Sequence, residues 1–368
     1  MKKSWIILLA IAIVVGITLP FIINNDNEEI EETIEFGFDN SYYTIQKEGK
    51  LTFRCKSASV MDRIELLIND KLVQKWDKPK ENSFKADLSG YPLGTYTIVI
   101  IGYKGKKDEY SDSRHLYINA SSSPTLLTYT LKESHPHDSR NFTQGYEFYN
   151  DKLFESTGNP NNDGATKIAQ IDTKTGLSIR EQAQPNPIFG EGITVLNNKI
   201  YQISWQNGLC FVYDANDLSQ IDTLTYAGEG WGLCNDGKSI IMSDGTSQLT
   251  FRDPETFEII KTINVHSDIG PVTNINELEF LDGQIWANLW ISEQRMQMDS
   301  RMNLAKVISI DANNGEVLAY MDIMDLFNKS SRKNVPNGIA FRKSTNTFWL
   351  TGKYWNQVYE VEIDAKNI

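Results

Sequence analysis

The chain is short of cysteine, of histidine and of positive charge, and each shortage removes a class of function. Its cysteines are Cys55, Cys210 and Cys234, an odd set at spacings that match no metal motif, which excludes a disulfide-stapled scaffold and a cysteine-ligated zinc module. At least one thiol has no partner within the chain. Cys210 and Cys234 could meet across neighbouring strands, but the pattern favours three buried, inert thiols. Of 4 histidines only His135 and His137 lie close together, with Asp138 as the sole carboxylate at ligand spacing, so the run reads as a strand-entry loop rather than a zinc site. A net charge of -12 offers no basic field to a nucleic-acid backbone. No nucleic-acid partner is expected.

Long apolar runs are also missing, with one exception at the N-terminus. Lys2 and Lys3 precede an apolar stretch from Trp5 to Ile23, broken only by Gly16, Thr18 and Pro20, close to the ~20 residues that span a bilayer. Acidic residues follow it (Asp26, Glu28, Glu29, Glu31, Glu32), which places the N-terminus inside and the remainder outside. With no small-x-small cleavage site and no cysteine beside the run, a retained anchor over residues 1–23 is expected in preference to a cleaved signal or a lipoprotein. Residues 24–34, acidic and Asn-rich, read as a stalk. The expected location is extracytoplasmic, in the periplasm or at the cell surface, with the membrane reached through that segment.

What the sequence does contain is β-structure. Tyr42–Ile45, Leu51–Cys55, Arg63–Ile68, Lys71–Trp76, Ser83–Leu88, Tyr96–Tyr103 and His115–Ile118 are strand-length runs separated by turn residues such as Asn69-Asp70 and Ser89-Gly90. That density predicts an immunoglobulin-like β-sandwich over residues 35–119, without the Cys-Trp-Cys hallmark of antibody domains. Residues 120–124, Ala-Ser-Ser-Ser-Pro, form a linker.

After the linker the chain repeats itself. Gln144-Gly145, Glu191-Gly192, Trp231-Gly232, Asn276-Glu277 and Asn337-Gly338 each open an apolar strand. At a constant interval a second strand ends, from 145 to 158, 192 to 205, 232 to 245 and 277 to 290, and the fifth copy runs slightly longer to Lys353. A third element then carries an Asp-containing turn at Asp172, Asp214, Asp253 or Asp311. Such units, repeated at about 40 to 60 residues, predict an all-β fold in which residues 125–368 form a five-bladed β-propeller. The last repeat is one strand short, and Leu126–Leu131 is placed to supply it and close the ring.

Equal positions in successive blades converge at one height around a propeller's channel. The opening column holds Gln144, Glu191, Trp231, Asn276 and Asn337, and the strand-end column holds Gly158, Trp205, Gly245, Trp290 and Lys353. An isolated Trp in a β-protein is usually core, and buried amides often serve only to satisfy backbone groups. Recurrence of Trp205, Trp231 and Trp290 at two equivalent columns weakens that plain reading. Glu191 stands out most, since a carboxylate among apolar strand residues is expected to be paired or functional.

The ordered motifs HDSRNFTQGYEF, ESTG, FGEGIT, ISW, GEGWGL, MSDGT, INELE, ANLW, PNGIA and LTGK make residues 124–365 similar to the plant-type glutaminyl-peptide cyclotransferases, a family also found in bacteria. The resemblance implies a propeller whose mouth converts N-terminal glutamine of peptides and proteins into pyroglutamate and releases ammonia. Carried over motif by motif, it implies Glu191, Gln144, Asn276 and Lys353 as catalytic residues and Phe142, Phe189, Trp205, Trp231 and Trp290 as substrate-binding ones. Glu191 would be the general acid/base, and the indoles would fold the substrate. No cofactor is required by that chemistry, although a structural metal ion could sit in the channel, and a monomer is expected. Departures from the usual family text, HDSRN for HDPxA, ISW for LTW, ANLW for ANVW and PNGIA for LNGIA, remove none of these residues. The altered stretch Asn159–Lys167 and an insertion near Glu293–Ala305 are expected to reshape the rim. The competing readings are a non-catalytic extracytoplasmic propeller that binds peptide or carbohydrate, and a metal-dependent lactonase or esterase, which would need a carboxylate cluster the columns lack.

Overall fold

The structure is a computed structural model that describes residues 34–160, 166–184, 187–291, 305–330 and 334–364. The expected anchor (1–23), most of the stalk and most of the insertion near Glu293–Ala305 lie outside the described residues. Residues from Phe36 to Ile368 form one compact unit. Among the described residues no helix is long and apolar enough to cross a membrane. Among the described residues, apart from one turn of 3-10 helix at Ala58–Val60 and an α-helix at Met324–Lys329, the regular structure is all β.

Two sheets come first. One pairs Gly37–Phe38, Lys50–Lys56 and Ser83–Asp87; the other orders Tyr42–Gln46, Asp108–Asn119, Gly94–Lys104, Arg63–Ile68 and Lys71–Asp77. Period-two alternation explains them. Leu51, Phe53 and Cys55 point inward while Lys50, Thr52, Arg54 and Lys56 face solvent. The strand expected at His115–Ile118 runs from Asp108, because its polar first half pairs with Gly94–Lys104 without covering a core.

Five antiparallel meanders follow. The first comprises Phe142–Tyr149, Lys152–Gly158, Lys167–Ile171 and Ser178–Ala183; the second Gly190–Leu196, Lys199–Ser204, Leu209–Asp214 and Gln220–Thr225. The third comprises Leu233–Asn235, Ile240–Ser243, Gln248–Arg252 and Ile259–Asn264; the fourth Ile275–Leu281, Gln284–Leu289, Lys306–Asp311 and Val317–Asp322. The fifth combines Pro336–Arg342, Thr347–Gly352 and Gln357–Ile363 with Tyr129–Pro136. Each first strand adjoins the first strand of the next sheet, and the fifth returns to the first.

Apolar clusters fill the spaces between successive sheets. Ile168, Ile193 and Tyr213 pack between the first and second, Ile241, Leu278 and Ile310 between the third and fourth, and Tyr146, Ala340 and Trp349 between the fifth and first. The glycine column has a steric cause. A Cβ on Gly145 would collide with the backbone of Gly192 and Ile193, and one on Gly232 with the backbone of Asn276. The fourth repeat puts Glu277 where the others have Gly. Its buried carboxylate crosses the centre to accept the N–H groups of Tyr146 (3.0 Å) and Ile339 (2.7 Å), from the first and fifth sheets.

The closing strand differs from the expected Leu126–Leu131. Tyr129–Pro136 pairs antiparallel with Gln357–Ile363, while Thr125–Leu127 lies parallel to Val317–Asp322 on the fourth sheet. Burial of Leu127 beside Met321 and Ile323 draws the first part of the apolar run away from the second. His135 and Pro136 therefore belong to a strand, not an entry loop. Pro136 is tolerated because this strand is the outer edge of its sheet.

Candidate active site

Four of the five opening residues are set by β-bulges. In the first sheet Thr143 pairs with Thr157 and Gly145 with Ser156, so Gln144 is the extra residue. The register also shifts across Glu191-Gly192, Asn276-Glu277 and Asn337-Gly338. A bulge interrupts the pleat and re-aims a side chain. Strict alternation is thus not what brings Phe142 and Gln144 to one side.

Trp205, Trp290 and Lys353 sit just beyond the second strands of their sheets. Each is held by its own backbone N–H, donated to Phe189 O (2.9 Å), Asn274 O (2.7 Å) and Val335 O (3.0 Å) respectively, the residue two before the opening one. The two glycines in this column make room for rings. A Cβ on Gly158 would enter the Phe189 ring, and one on Gly245 the Trp231 ring.

These elements enclose a cavity of about 540 Å³ lined by Phe142, Gln144, Phe189, Glu191, Trp205, Trp231, Asn276, Trp290 and Lys353, with Asn159 and Pro160 at its edge. All nine residues singled out from the sequence meet there. Glu191 is buried and its Oε1 accepts from Gln144 Nε2 at 2.9 Å; Gln144 Oε1 in turn accepts from Asn337 Nδ2 at 2.8 Å. Phe142 and Phe189 meet edge to face at 6.1 Å, Phe189 and Trp205 at 5.8 Å, and Trp231 and Trp290 at 6.0 Å between centroids. The Lys353 ammonium lies 4.6 Å from the centre of the Phe142 ring. Asn276 Oδ1 is buried and finds no donor among the described residues.

Burial pushes the Glu191 carboxyl well above the usual range, Lys353 pulls it down, and Glu229 raises it further. A carboxyl so placed keeps its proton to higher pH than an exposed one does. Glu229 behaves oppositely. Its carboxylate accepts from Gln206 Nε2 (3.0 Å), Trp231 Nε1 (3.1 Å) and Trp205 Nε1 (2.9 Å), and these donors hold it below its ordinary value.

Five further residues at or beside the site had no role from the sequence. Glu229 lies two residues before Trp231, the offset at which Phe142 and Phe189 precede Gln144 and Glu191, so that register already marked it. Asn337 was in the opening column but without a role. Tyr354, with its ring 5.1 Å from Phe142, follows Lys353 directly. Asn159 and Pro160 belong to the stretch expected to shape the rim.

One carboxylate, amides and an ammonium are not a metal-donor set. Among the described residues, donor atoms of Glu133, His135 and Glu360 lie within 4.8 Å of one another on the fifth sheet, outside the cavity lining. There His135 Nε2 is 2.8 Å from Glu360 and the imidazole stacks on Trp349 at 4.0 Å. The other histidine of the pair, His137, is buried against Glu155 (3.0 Å) and the Trp355 carbonyl (2.7 Å). All three cysteines are free and buried, and burial pushes the Cys55 thiol up to about 12 and raises those of Cys210 and Cys234 as well.

A ring of β-meanders with one buried carboxyl in an aromatic cavity is a candidate site for acid/base chemistry. The sequence profile of the glutamine cyclotransferase family matches residues 106–363, and the chain belongs to that family. It is similar to the Arabidopsis thaliana protein named glutaminyl-peptide cyclotransferase, 32% identical over 235 residues, which are 62% of this chain and 69% of that one. It is also similar to the crystal structure of Myxococcus xanthus glutaminyl cyclase, at 30% identity and a TM-score of 0.58 over 66% of this chain and 98% of that one.

Proposed function

We propose that the chain closes N-terminal glutamine of peptides and proteins into pyroglutamate, with Glu191 carrying the proton between the two nitrogens. Family membership supports the cyclotransferase activity. The observation that carries the residue assignment is the buried Glu191 carboxyl, hydrogen-bonded to Gln144 inside the aromatic cavity.

The neutral α-amine attacks its own side-chain amide carbon, forming the ring C–N bond and gaining positive charge. Ionised Glu191 takes a proton from that nitrogen. It returns the proton to the amide nitrogen as the C–N bond breaks, ammonia leaves, and the carboxylate is regenerated. Negative charge that builds on the amide oxygen is met by Lys353 and the amide groups of the rim. Asn276 Oδ1, an acceptor in need of a donor, suits an N–H of the substrate. Phe142, Phe189 and the three indoles exclude water and keep the glutamine chain bent so that nitrogen and carbon are close.

The finer architecture belongs to the same proposal. The five meanders are the blades of a closed propeller over residues 125–368, the catalytic domain. Residues 35–119 are an immunoglobulin-like spacer, and residues 1–23 anchor a monomer with its site outside the cytoplasm. Unbroken adjacency of the first strands around the ring and the two-sheet arrangement before it support this reading.

The test is incubation of the purified protein with a Gln-initiated peptide, followed by mass spectrometry and an ammonia assay. Loss of one ammonia per peptide above the spontaneous background is expected, and none from a peptide that begins with Asn-Gln. A rate equal to background would reject the activity.

A further inference from the structure

Glu229 sits where no part of the cyclisation scheme needs a second carboxylate. One of its oxygens, Oε2, accepts both indole N–H groups, from Trp205 at 2.9 Å and Trp231 at 3.1 Å; the other, Oε1, accepts the Gln206 amide at 3.0 Å. The two indoles come from different places. Trp205 follows the second strand of the second sheet, and Trp231 stands at the opening of the third. Trp205 is also 38% exposed, so it lacks the enclosure that would fix a ring by packing alone. Between them Gly230 donates its N–H to the Trp205 carbonyl at 3.0 Å, which ties the Glu229 segment to the same rim.

We propose that Glu229 is a positioning residue for the cyclisation: it pins the Trp205 and Trp231 indoles to one anionic point and so fixes the wall against which glutamine folds. The inference rests on the reading of Glu191 as the proton carrier. A bridging carboxylate couples two walls that would otherwise choose rotamers independently, and an ill-fixed wall loses the near-attack geometry that proximity catalysis depends on. Its charge has a second consequence. Glu191 is faced by Gln144 and Lys353, by Glu229 and by the Tyr226 phenol, and of these the Glu229 charge is the one that raises the Glu191 carboxyl. Glu229 is the member of the pair held ionised by hydrogen bonds, and Glu191 the one kept protonatable by burial. Two carboxyls driven apart in this way divide their roles.

The experiment is steady-state kinetics on a Gln-initiated peptide across pH, using the full chain. Glu229→Gln keeps the shape but loses the charge. A fall in kcat of roughly tenfold to a hundredfold is expected, with the acid limb of kcat displaced to lower pH because Glu191 then ionises more easily. Trp205→Phe should slow the wild type but add little in a Glu229→Ala background, since both remove the same link. Gln206→Ala, at an exposed residue outside the cavity lining, gives a milder loss in the same direction and serves if the Glu229 variants fold poorly. Unchanged kcat and an unmoved acid limb in Glu229→Gln, or additive losses in the double variant, would overturn the proposal. Glu191→Gln, run alongside, separates the two claims: if it stays active, the proton-carrier reading fails, whatever Glu229 does.

Discussion

Replacing Glu277 by leucine should weaken the whole ring, although Glu277 does not line the cavity. In the wild type its carboxylate is the acceptor for the N–H groups of Tyr146 and Ile339, both buried and both on first strands that meet at the centre. Leucine leaves these two donors without a partner. Each unsatisfied buried donor costs about 1–3 kcal/mol. Against this, the variant no longer carries the desolvation of a buried carboxyl, which pushes Glu277 well above its usual range. The net expectation is a loss of about 2–4 kcal/mol, with Glu277→Gln, which keeps one good acceptor, losing about half as much. Urea denaturation followed by tryptophan fluorescence reads this as a lower midpoint at unchanged slope. A loss below about 0.5 kcal/mol for Glu277→Leu would mean that the cross-channel bonds do not hold the ring, and the reasoning fails.

Other consequences are as concrete. Lys353→Met should shift the acid limb of kcat to higher pH, because the ammonium favours ionised Glu191; a shift to lower pH would assign Lys353 another role. Gly158→Ala should raise KM by displacing the Phe189 ring while leaving the fold intact, which thermal melting alongside kinetics can distinguish. For His137, burial lowers the imidazole pKa, but the Glu155 charge and hydrogen bond outweigh it and the net shift is upward. With the folded value above the unfolded one, its stabilisation is complete below about pH 6.5 and is lost as pH rises through the raised value. The wild-type advantage over His137→Gln in denaturation should therefore shrink from pH 6 to pH 9, and a constant advantage would refute this.

The meanders and the cavity residues were legible because they repeat. Turn-bounded apolar runs mark the inner strands, which are buried on both faces, and the close approach of the first strands marks each Gly after an opening residue. What stayed hidden is what does not repeat. Glu277 breaks the glycine column, and only the structure shows that it replaces a tight contact with hydrogen bonds to two other sheets. Glu229 does stand at a repeating offset, two before an opening residue, but its role shows only where two indoles from separate repeats converge on it. The polar start of Asp108–Asn119 carries no apolar rhythm, since neither face of that ribbon is fully covered. The closing strand was misplaced for the opposite reason, an apolar stretch that divides between two sheets.

The central claim is that Glu191 carries the proton, and Glu191→Gln tests it most directly, because the amide keeps the size and can hydrogen-bond to Gln144 yet cannot exchange a proton. Ammonia release from a Gln-initiated peptide should fall in kcat by roughly a hundredfold or more with KM little changed. A kcat within a few-fold of the wild type would contradict the account.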